Sequence, residues 1–374
     1  MATGGFIPGL RCADKDSPSR SRPAAAARPG RYAAVVSIRE VAELAGVSVG
    51  TVSKYLNTPH RVAPATSDRV RRAIKDLGYV RNEAARQMRT GRSNTLAFVA
   101  LELRNPFFGE VAHAVERRAA ENGLFLVLAS SDGDPVRESQ YIDMFVQQRV
   151  RGLILASGTT RPEDFELLAA RGIPTVLVDA YAPSDRFSSV AVDDALGTRR
   201  AVIHLIEQGC RSIAFVGGPE SVRQIGERLD GARKAVREHP GVTLEVIATE
   251  ERIVTAGLHV GEVIAARRPA ERPDGIVAAN DSVALGLMQS LGNRAGLRVP
   301  ADIALVGFDD MEFAATTTVP LTTVRRPRDI FGRTAVDLVR DQAEAGGPLP
   351  VRTIVIQPEL IVRESSLRRG RPGA

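Results

Sequence analysis

From Thr95 almost to its last residues, the chain alternates short apolar runs with amphipathic segments, and this alternation limits the folds open to it. Apolar runs separated by helical segments are typical of parallel strands that helices bury on both faces. A pattern of about 270 residues exceeds one sheet, so we expect two doubly wound α/β subdomains. The strand-like runs are LAFVAL, LFLVLA, GLILAS, PTVLVD, SIAFVGG, LEVIAT, GIVAAN and DIALVGF.

The alternation is interrupted once, by the loop AYAPSDRFS, and we expect the chain to pass from the first subdomain to the second near residues 180–192. The stretch after Thr323 is expected to thread back through the joint, crossing near residues 321–330. Two regions lack any period of 2 or 3.6, and we expect them to be disordered tails. These tails are residues 1–36, which are basic and rich in Ala, Pro, Gly, Ser and Arg, and residues 365–374.

Ahead of the α/β region, the run SIREVAELAGVSVGTVSKYLN predicts two short helices joined by a tight turn. Ser37 and Glu40 form a capping-box pattern, Gly46 ends the first helix, and Ser48 caps the second two residues later. A third helix is predicted over Pro64–Leu77, with proline in its first turn and several arginines beside its apolar stripe. This spacing indicates a helix-turn-helix within a three-helix head rather than an ordinary helical bundle.

The charge of the chain is unevenly distributed. Residues 1–92 contain 17 Lys and Arg against 7 Asp and Glu, a net charge of +10, whereas the remaining residues carry a net charge of −4. A basic segment joined to a nearly neutral body indicates a partner that is a polyanion, and nucleic acid is the first candidate. The expected organisation is a tail (1–36), a DNA-binding head (37–81), a hinge helix or linker (82–92), a core (93–364) and a second tail (365–374).

Motifs that carry catalysis or hold a cofactor are missing from the sequence. It has no G-x-x-x-x-G-K-[ST], H-E-x-x-H or G-x-S-x-G pattern, and its histidines lack metal-ligand spacing. Its two cysteines, Cys12 and Cys210, offer no disulfide framework. No apolar run reaches the length of a membrane span, and no apolar segment precedes a signal cleavage site. We therefore expect a cytoplasmic protein without enzymatic activity, cofactor or metal.

Polar and aromatic side chains follow several of the predicted strands, and the carboxyl ends of parallel strands are where open α/β sheets bind ligands. Carboxylates, an arginine and an aromatic face suit a polyhydroxylated ring, so a sugar-like or nucleoside-like ligand is expected in one cleft. Each residue alone could instead cap a helix or shape a turn. The candidate effector-binding residues are Asn105, Phe108, Asp179, Arg228, Asn280 and Asp309.

The ordered motifs EVAELAGVSVGTVSKYLN, AARQMRTGRSNTLAFV, NPFF, ERLDGA, VAANDSVALG, IALVGFDD and PLTTVRRP resemble the lactose-repressor (LacI-type) family of bacterial transcription regulators, over about Ser37 to Glu364. The resemblance implies a homodimer on a near-palindromic double-stranded DNA operator. It also implies a periplasmic-binding-protein-like core that binds a small effector between its two subdomains.

Carried over by position, the resemblance implies base readers at Val49, Gly50 and Lys54, although glycine has no side chain to read with. It implies a hinge helix over 82–89 that faces the minor groove, with Met88 where the family usually has a leucine wedge. Arg81 and Cys210 also depart from common family residues. The DNA-binding residues so assigned are Ser48, Val49, Gly50, Thr51, Ser53, Lys54, Asn57, Arg61, Asn82, Ala85 and Met88.

The leading hypothesis is a repressor whose operator affinity is set by a small effector, with a sugar favoured over a purine. The alternatives are an extracytoplasmic sugar-binding protein, an α/β enzyme with a DNA-binding head, and a purine-type or corepressor-type regulator of the same family. The sequence leaves open whether the effector releases DNA or promotes its binding.

Overall fold

The computed structural model describes residues 36–80, 93–156, 158–182, 184–345 and 351–368. The chain forms two compact units, a small helical head and a larger α/β core, with the division near residue 86. Cys12, both ends of the chain and the predicted hinge lie outside the described residues.

The head contains three helices, α1 (Ile38–Ala45), α2 (Val49–Asn57) and α3 (Pro64–Leu77). The predicted capping box is present: the Glu40 amide donates to Ser37 Oγ at 3.4 Å, and the Ser37 amide donates to Glu40 Oε2 at 2.7 Å. Gly46 ends α1 with φ at 61°, a conformation that favours glycine. The helices bury a shared apolar cluster formed by Val41, Ala42, Ala45, Val52, Val70 and Ala73.

The first subdomain of the core is a six-stranded parallel sheet in the order β11-β5-β4-β3-β1-β2. The helices α4 and α11 share one hydrophobic cluster with the sheet, and α5 and α6 share another. Its elements are β1 (Thr95–Ala100), α4 (Pro106–Glu121), β2 (Phe125–Ser130), α5 (Pro135–Gln147), β3 (Gly152–Ala156), α6 (Pro162–Ala170), β4 (Thr175–Val178), β5 (Ser188–Val192), α11 (Arg328–Glu344) and β11 (Thr353–Ile356).

The second subdomain repeats this architecture in the order β12-β10-β9-β8-β6-β7, with β12 antiparallel to β10 and the other pairs parallel. The helices α7 and α8 contribute to one hydrophobic cluster, and α9 and α10 to another. Its elements are α7 (Asp194–Glu207), β6 (Ser212–Val216), α8 (Arg223–Arg237), β7 (Thr243–Ile247), α9 (Val254–Ala266), β8 (Gly275–Ala278), α10 (Asp281–Met288), β9 (Ala304–Asp309), β10 (Thr322–Arg325) and β12 (Glu359–Ile361).

The chain passes between the two subdomains at three places. These are the β5–α7, β10–α11 and β11–β12 connections. The first passage differs from the expected one, because the loop near 180–187 returns to the first sheet as β5 before the chain leaves it. The sequence pattern did not predict β5, because this short strand directly follows a polar loop.

The expected tail boundary at residue 365 is also wrong, because the chain remains ordered beyond it. Ser365 and Ser366 are fully buried in a 3₁₀ turn, Glu364–Ser366. Ser365 Oγ donates to the Leu305 carbonyl at 2.6 Å and accepts from the Thr322 amide at 2.8 Å. Small polar residues that look like a tail in the sequence therefore satisfy backbone groups beside the second sheet.

One helix pair in the second subdomain depends on a glycine. A Cβ added at Gly231 in α8 would lie 2.1 Å from the carbonyl oxygen of Ala195 in α7. The two helices therefore approach more closely than any larger residue at position 231 would allow. Across the described ranges, no helix is both long and apolar enough to cross a membrane.

Candidate nucleic-acid interface and effector cleft

The outer face of α2 carries most of the predicted base-reading residues. Val49, Gly50, Lys54 and Asn57 are exposed, whereas Val52 is buried in the head. The exposed positions at 50, 54 and 57 follow a helical spacing, so they lie on one side of the helix, from which the Lys54 and Asn57 side chains extend. Such a stripe on a short helix is the geometry with which a recognition helix contacts base edges.

Ser48 has a structural task besides its predicted DNA contact. Its Oγ accepts from the Thr51 amide at 3.1 Å and lies 3.0 Å from Thr51 Oγ1, so it caps α2. Asn57 Nδ2 donates to the Ser53 carbonyl at 2.7 Å, and Ser53 is half-buried. These local bonds fix the two ends of the helix, and Gly50 leaves the first turn open to a close backbone approach.

Arg61 is exposed in the 3₁₀ turn Pro59–Arg61 that follows α2. It lies outside the α2 stripe, at a position for which the family resemblance implies contact with phosphates or neighbouring bases. The remaining predicted DNA contacts, Asn82, Ala85 and Met88, fall outside the described residues.

Five of the six predicted effector residues meet in one small cavity between the subdomains of the core. This inner cavity has a volume of about 20 Å³. Its polar, charged and aromatic lining consists of Asn105, Phe108, Asp179, Gln224, Arg228, Arg252, Asn280 and Arg326. Asp309, the sixth predicted residue, does not line the cavity.

Asp179 lies at the carboxyl end of β4, with φ at 57°, and joins the two subdomains. Its carbonyl oxygen accepts from Arg223 at 2.6 Å and from Gln224 at 2.9 Å, both on α8. Its Oδ2 accepts from Gln224 Nε2 at 3.1 Å, and its Oδ1 accepts from Arg326. A left-handed aspartate is uncommon, and here several bonds hold it in that conformation.

Arg228 is buried and contacts four groups. Its Nε donates to Asp194 Oδ1 at 2.8 Å, and its Nη1 donates to the Ala279 carbonyl. Its guanidinium carbon lies 3.7 Å from the centre of the Phe308 ring, a cation–π contact. Its Nη2 is 3.8 Å from Asp309 Oδ1, so Asp309 forms an ion pair with the arginine without lining the cavity itself. Burial raises the pKa of Asp309 above its ordinary value, against the lowering effect of Arg228 and Arg326.

Arg326 was not predicted as a site residue, yet it is central to the cleft. It is 2% exposed, pairs with Asp179, and donates from Nη1 to Asp309 Oδ1 at 3.3 Å. Its guanidinium carbon lies 3.6 Å from the centre of the Phe107 ring. Burial alone would lower the pKa of Arg326, but the carboxylates of Asp179, Asp194 and Asp309 raise it overall. Arg326 is therefore a permanent cation linking the two subdomains.

Two further ion pairs join the subdomains at the outer end of the cleft. Arg252 Nη2 donates to Glu102 Oε2 at 2.9 Å, and Arg104 Nη1 donates to Glu251 Oε1 at 3.1 Å. These four residues line an outer recess of about 460 Å³. Arg252 borders both the outer recess and the inner cavity, as do Leu101, Val222 and Gln224, so the two spaces are adjacent.

The two asparagines of the inner cavity cap helices. Asn105 Oδ1 accepts from the Phe107 amide at 3.1 Å at the start of α4. Asn280 Oδ1 accepts from the Val283 amide at 2.9 Å, and its Nδ2 donates to the Arg252 carbonyl at 2.9 Å. Within the described ranges, no group of three or more His, Cys, Asp and Glu side chains is placed to hold a metal ion.

Comparison with known proteins identifies both parts of the chain. Residues 37–82 match a family model described as bacterial regulatory proteins of the lacI family, and residues 202–366 match a periplasmic binding protein-like domain. The chain is 31% identical over 336 residues to the HTH-type transcriptional repressor PurR of Photobacterium profundum, covering 88% of this chain and 98% of that protein.

Two further proteins are similar over nearly the same length. The chain is 33% identical over 311 residues to the ribose operon repressor of Escherichia coli (strain K12), covering 82% of this chain and 92% of that repressor. A crystal structure of the lac repressor dimer bound to operator and the anti-inducer ONPF matches with a TM-score of 0.76 and 26% identity, covering 89% of this chain and 99% of that one. The chain belongs to the LacI family of bacterial transcription regulators, as its sequence motifs predicted.

Proposed function

We propose that this protein is a repressor that binds a near-palindromic operator as a homodimer and is controlled by a sugar-like effector in the cleft of its core. The observation that carries the proposal is the exposed stripe on α2, a helix whose two ends are held by side-chain hydrogen bonds. The chain is also similar to known repressors over most of its length. DNA binding requires no catalytic step, so the proposal includes no enzymatic activity. Because bacterial DNA lies in the cytoplasm, we expect the protein to act there.

The dimer has support from the first sheet. Its edge strand β2 exposes Phe125 by 73% and Leu128 by 41%, which is unusual for large apolar side chains on an open sheet edge. A second copy would cover this edge, and the similar lac repressor structure is a dimer.

The effector class has support from the relatives and from the cleft. One relative is named for the ribose operon, and the inner cavity and outer recess of this cleft together combine carboxylates, arginines and Phe108. PurR among the relatives keeps a purine effector as the second candidate. A purine would stack on aromatic faces, and Phe108 is the aromatic residue lining the inner cavity.

DNA reading is tested with Lys54→Ala and a matched control, Lys75→Ala, which removes the same charge from α3. DNA sites are first selected from a random pool by the parent protein, and affinities are then measured by fluorescence anisotropy at one salt concentration. Lys54→Ala should weaken the selected site by about 1–3 kcal/mol and flatten sequence preference, because it removes a base contact. On random DNA the two variants should behave alike, since each loses one charge. Equal losses for both variants on the selected site would contradict base reading by Lys54.

A further inference from the structure

The inner cavity is lined mainly by positive charge. Three guanidinium groups border it, those of Arg228, Arg252 and Arg326, against the single carboxylate of Asp179. The carboxylates that pair with these arginines from other sides, such as Asp194 and Glu102, do not line it. A ligand in this cavity therefore meets guanidinium groups first.

The oxygen acceptors at the inner cavity are already engaged. Both carboxylate oxygens of Asp179 accept hydrogen bonds, Oδ1 from Arg326 and Oδ2 from Gln224. The side-chain oxygens of Asn105 and Asn280 accept from backbone amides. Each of these oxygens keeps a second lone pair, but a sugar hydroxyl that donates to it must share the oxygen with the donor already bound.

One residue that lines the cavity has a buried donor without a partner among the described residues. Arg326 is 2% exposed, and its Nε has no hydrogen-bond partner among the described residues. A buried unsatisfied donor costs free energy unless a ligand supplies an acceptor. The balance of groups at this end of the cleft thus favours a ligand rich in acceptors.

From these contacts we infer that the effector is a sugar acid, whose carboxylate binds among Arg228, Arg252 and Arg326 while its hydroxylated part lies in the outer recess. The inference rests on the proposed control by a sugar-like effector and specifies its chemistry. A carboxylate presents two coplanar acceptors that match the fork of a guanidinium.

The sizes of the two spaces agree with this orientation. About 20 Å³ accommodates a group the size of a water molecule, so one carboxylate oxygen enters the inner cavity and a sugar ring does not, whereas the recess of about 460 Å³ lies within the range of small-molecule sites. The recess is also lined by acidic residues able to accept from hydroxyls: Glu102, Asp132, Glu250 and Glu251. The recess also contains Arg104, Arg223 and Arg252, so its charges nearly balance, whereas the inner cavity has three arginines against one carboxylate and is the more cationic end of the cleft.

The test compares matched acids and neutral sugars on the full-length protein by isothermal titration calorimetry. The probes are D-gluconate with D-glucitol, D-glucuronate with D-glucose, and D-galacturonate with D-galactose, and D-glucose 6-phosphate tests a phosphate in place of the carboxylate. At least one acid should bind about tenfold or more tightly than its neutral partner, because charge-assisted hydrogen bonds to arginine are lost in the neutral compound.

A double variant locates the anion. Glu102→Gln with Arg252→Gln removes one cation from the cavity while leaving no stranded charge, and should reduce the preference for the acid about tenfold. The matched control is Glu166→Gln with Arg186→Gln, an exposed ion pair away from the cleft with 3.2 Å between Arg186 Nη1 and Glu166 Oε2, and should keep the preference.

Three outcomes would overturn the inference. The first is that neutral sugars bind as tightly as their acids, and the second is that glucose 6-phosphate binds more tightly than every acid. The third is that no acid binds at concentrations up to about 10 mM, at which even a site with a millimolar Kd would be filled. An operator-binding assay on the same preparation separates this failure from failure of the proposed function, since neutral sugars that release DNA would leave effector control intact.

Discussion

Replacing Arg326 by methionine should destabilise the core, because the change strands buried carboxylates. Removing one partner of a buried ion pair costs about 3–5 kcal/mol. Asp179 keeps Gln224 at 3.1 Å, and Asp309 keeps Arg228 at 3.8 Å, so we expect the lower end, about 3 kcal/mol. At about 2–4 °C per kcal/mol, the melting temperature should fall by about 6–12 °C.

The loss should depend on pH in a defined direction. Burial already raises the pKa of Asp309 above 3.8, and loss of Arg326 raises it further. A carboxyl with a raised folded pKa destabilises the protein above that pKa, and the penalty is relieved as pH falls towards the unfolded pKa. The difference between Arg326→Met and the parent should therefore shrink as pH falls from 7 towards 3.8, by at most about 1.4 kcal/mol per pH unit for each proton bound.

The measurement is urea unfolding of both proteins over a series of pH values from 7 down to about 4, close to the ordinary aspartate pKa. Unfolding is followed by circular dichroism because the chain has no Trp to serve as a fluorescent probe. Adding Asp309→Asn to Arg326→Met should recover part of the loss, since the stranded charge is then gone. A variant as stable as the parent at pH 7, or a loss that stays the same across the whole pH series, would refute the assignment of Arg326 as the cation that neutralises this cluster.

Two further predictions concern packing and a buried histidine. Gly231→Ala should lower the free energy of unfolding in urea by about 1–3 kcal/mol, because the added methyl group clashes with the neighbouring helix. In the control, Gly109→Ala, the added Cβ meets nothing within 4 Å, so stability should be unchanged or should rise by up to about 1 kcal/mol. Similar effects of the two variants would contradict the close approach of α7 and α8. His204 Nε2 lies 2.7 Å from Ser366 Oγ, and burial lowers its pKa below 6.5, so stability should fall as pH drops below 6.5 because the unfolded chain binds the extra proton. His204→Gln should flatten that part of the stability profile, and an unchanged profile would show that other groups cause it.

Local signals made the head predictable from sequence. The capping box at Ser37, the left-handed Gly46 and Pro64 at the start of α3 each act within a few residues, so the sequence pattern and the structure agree. The cleft residues were found by a different rule, because carboxyl ends of parallel strands converge whatever the loops contain. This rule predicts which residues lie near a cleft, but it does not predict which hydrogen bonds and ion pairs they form.

Arg326 shows where such reasoning stops. In the sequence it is one of two adjacent arginines that look alike, yet the side chain of Arg325 is 46% exposed and that of Arg326 is 2% exposed. Which of them turns inward depends on strand register and on Asp179, 147 positions earlier in the chain. The short, half-exposed strands β11 and β12 escaped prediction for a similar reason, since only pairing with distant strands defines them.

The three passages between the subdomains also constrain how the protein is made. The first sheet needs β11, and its helical layer needs α11, but both follow nearly all of the second subdomain in the chain. A ribosome therefore releases residues 93–192 with the surface for α11 still uncovered, including fully buried Phe107, whose ring centre lies 6.0 Å from that of Phe331. During synthesis this surface is an apolar patch that chaperones can bind, and a chain stopped before residue 328 would keep it exposed and be prone to aggregate.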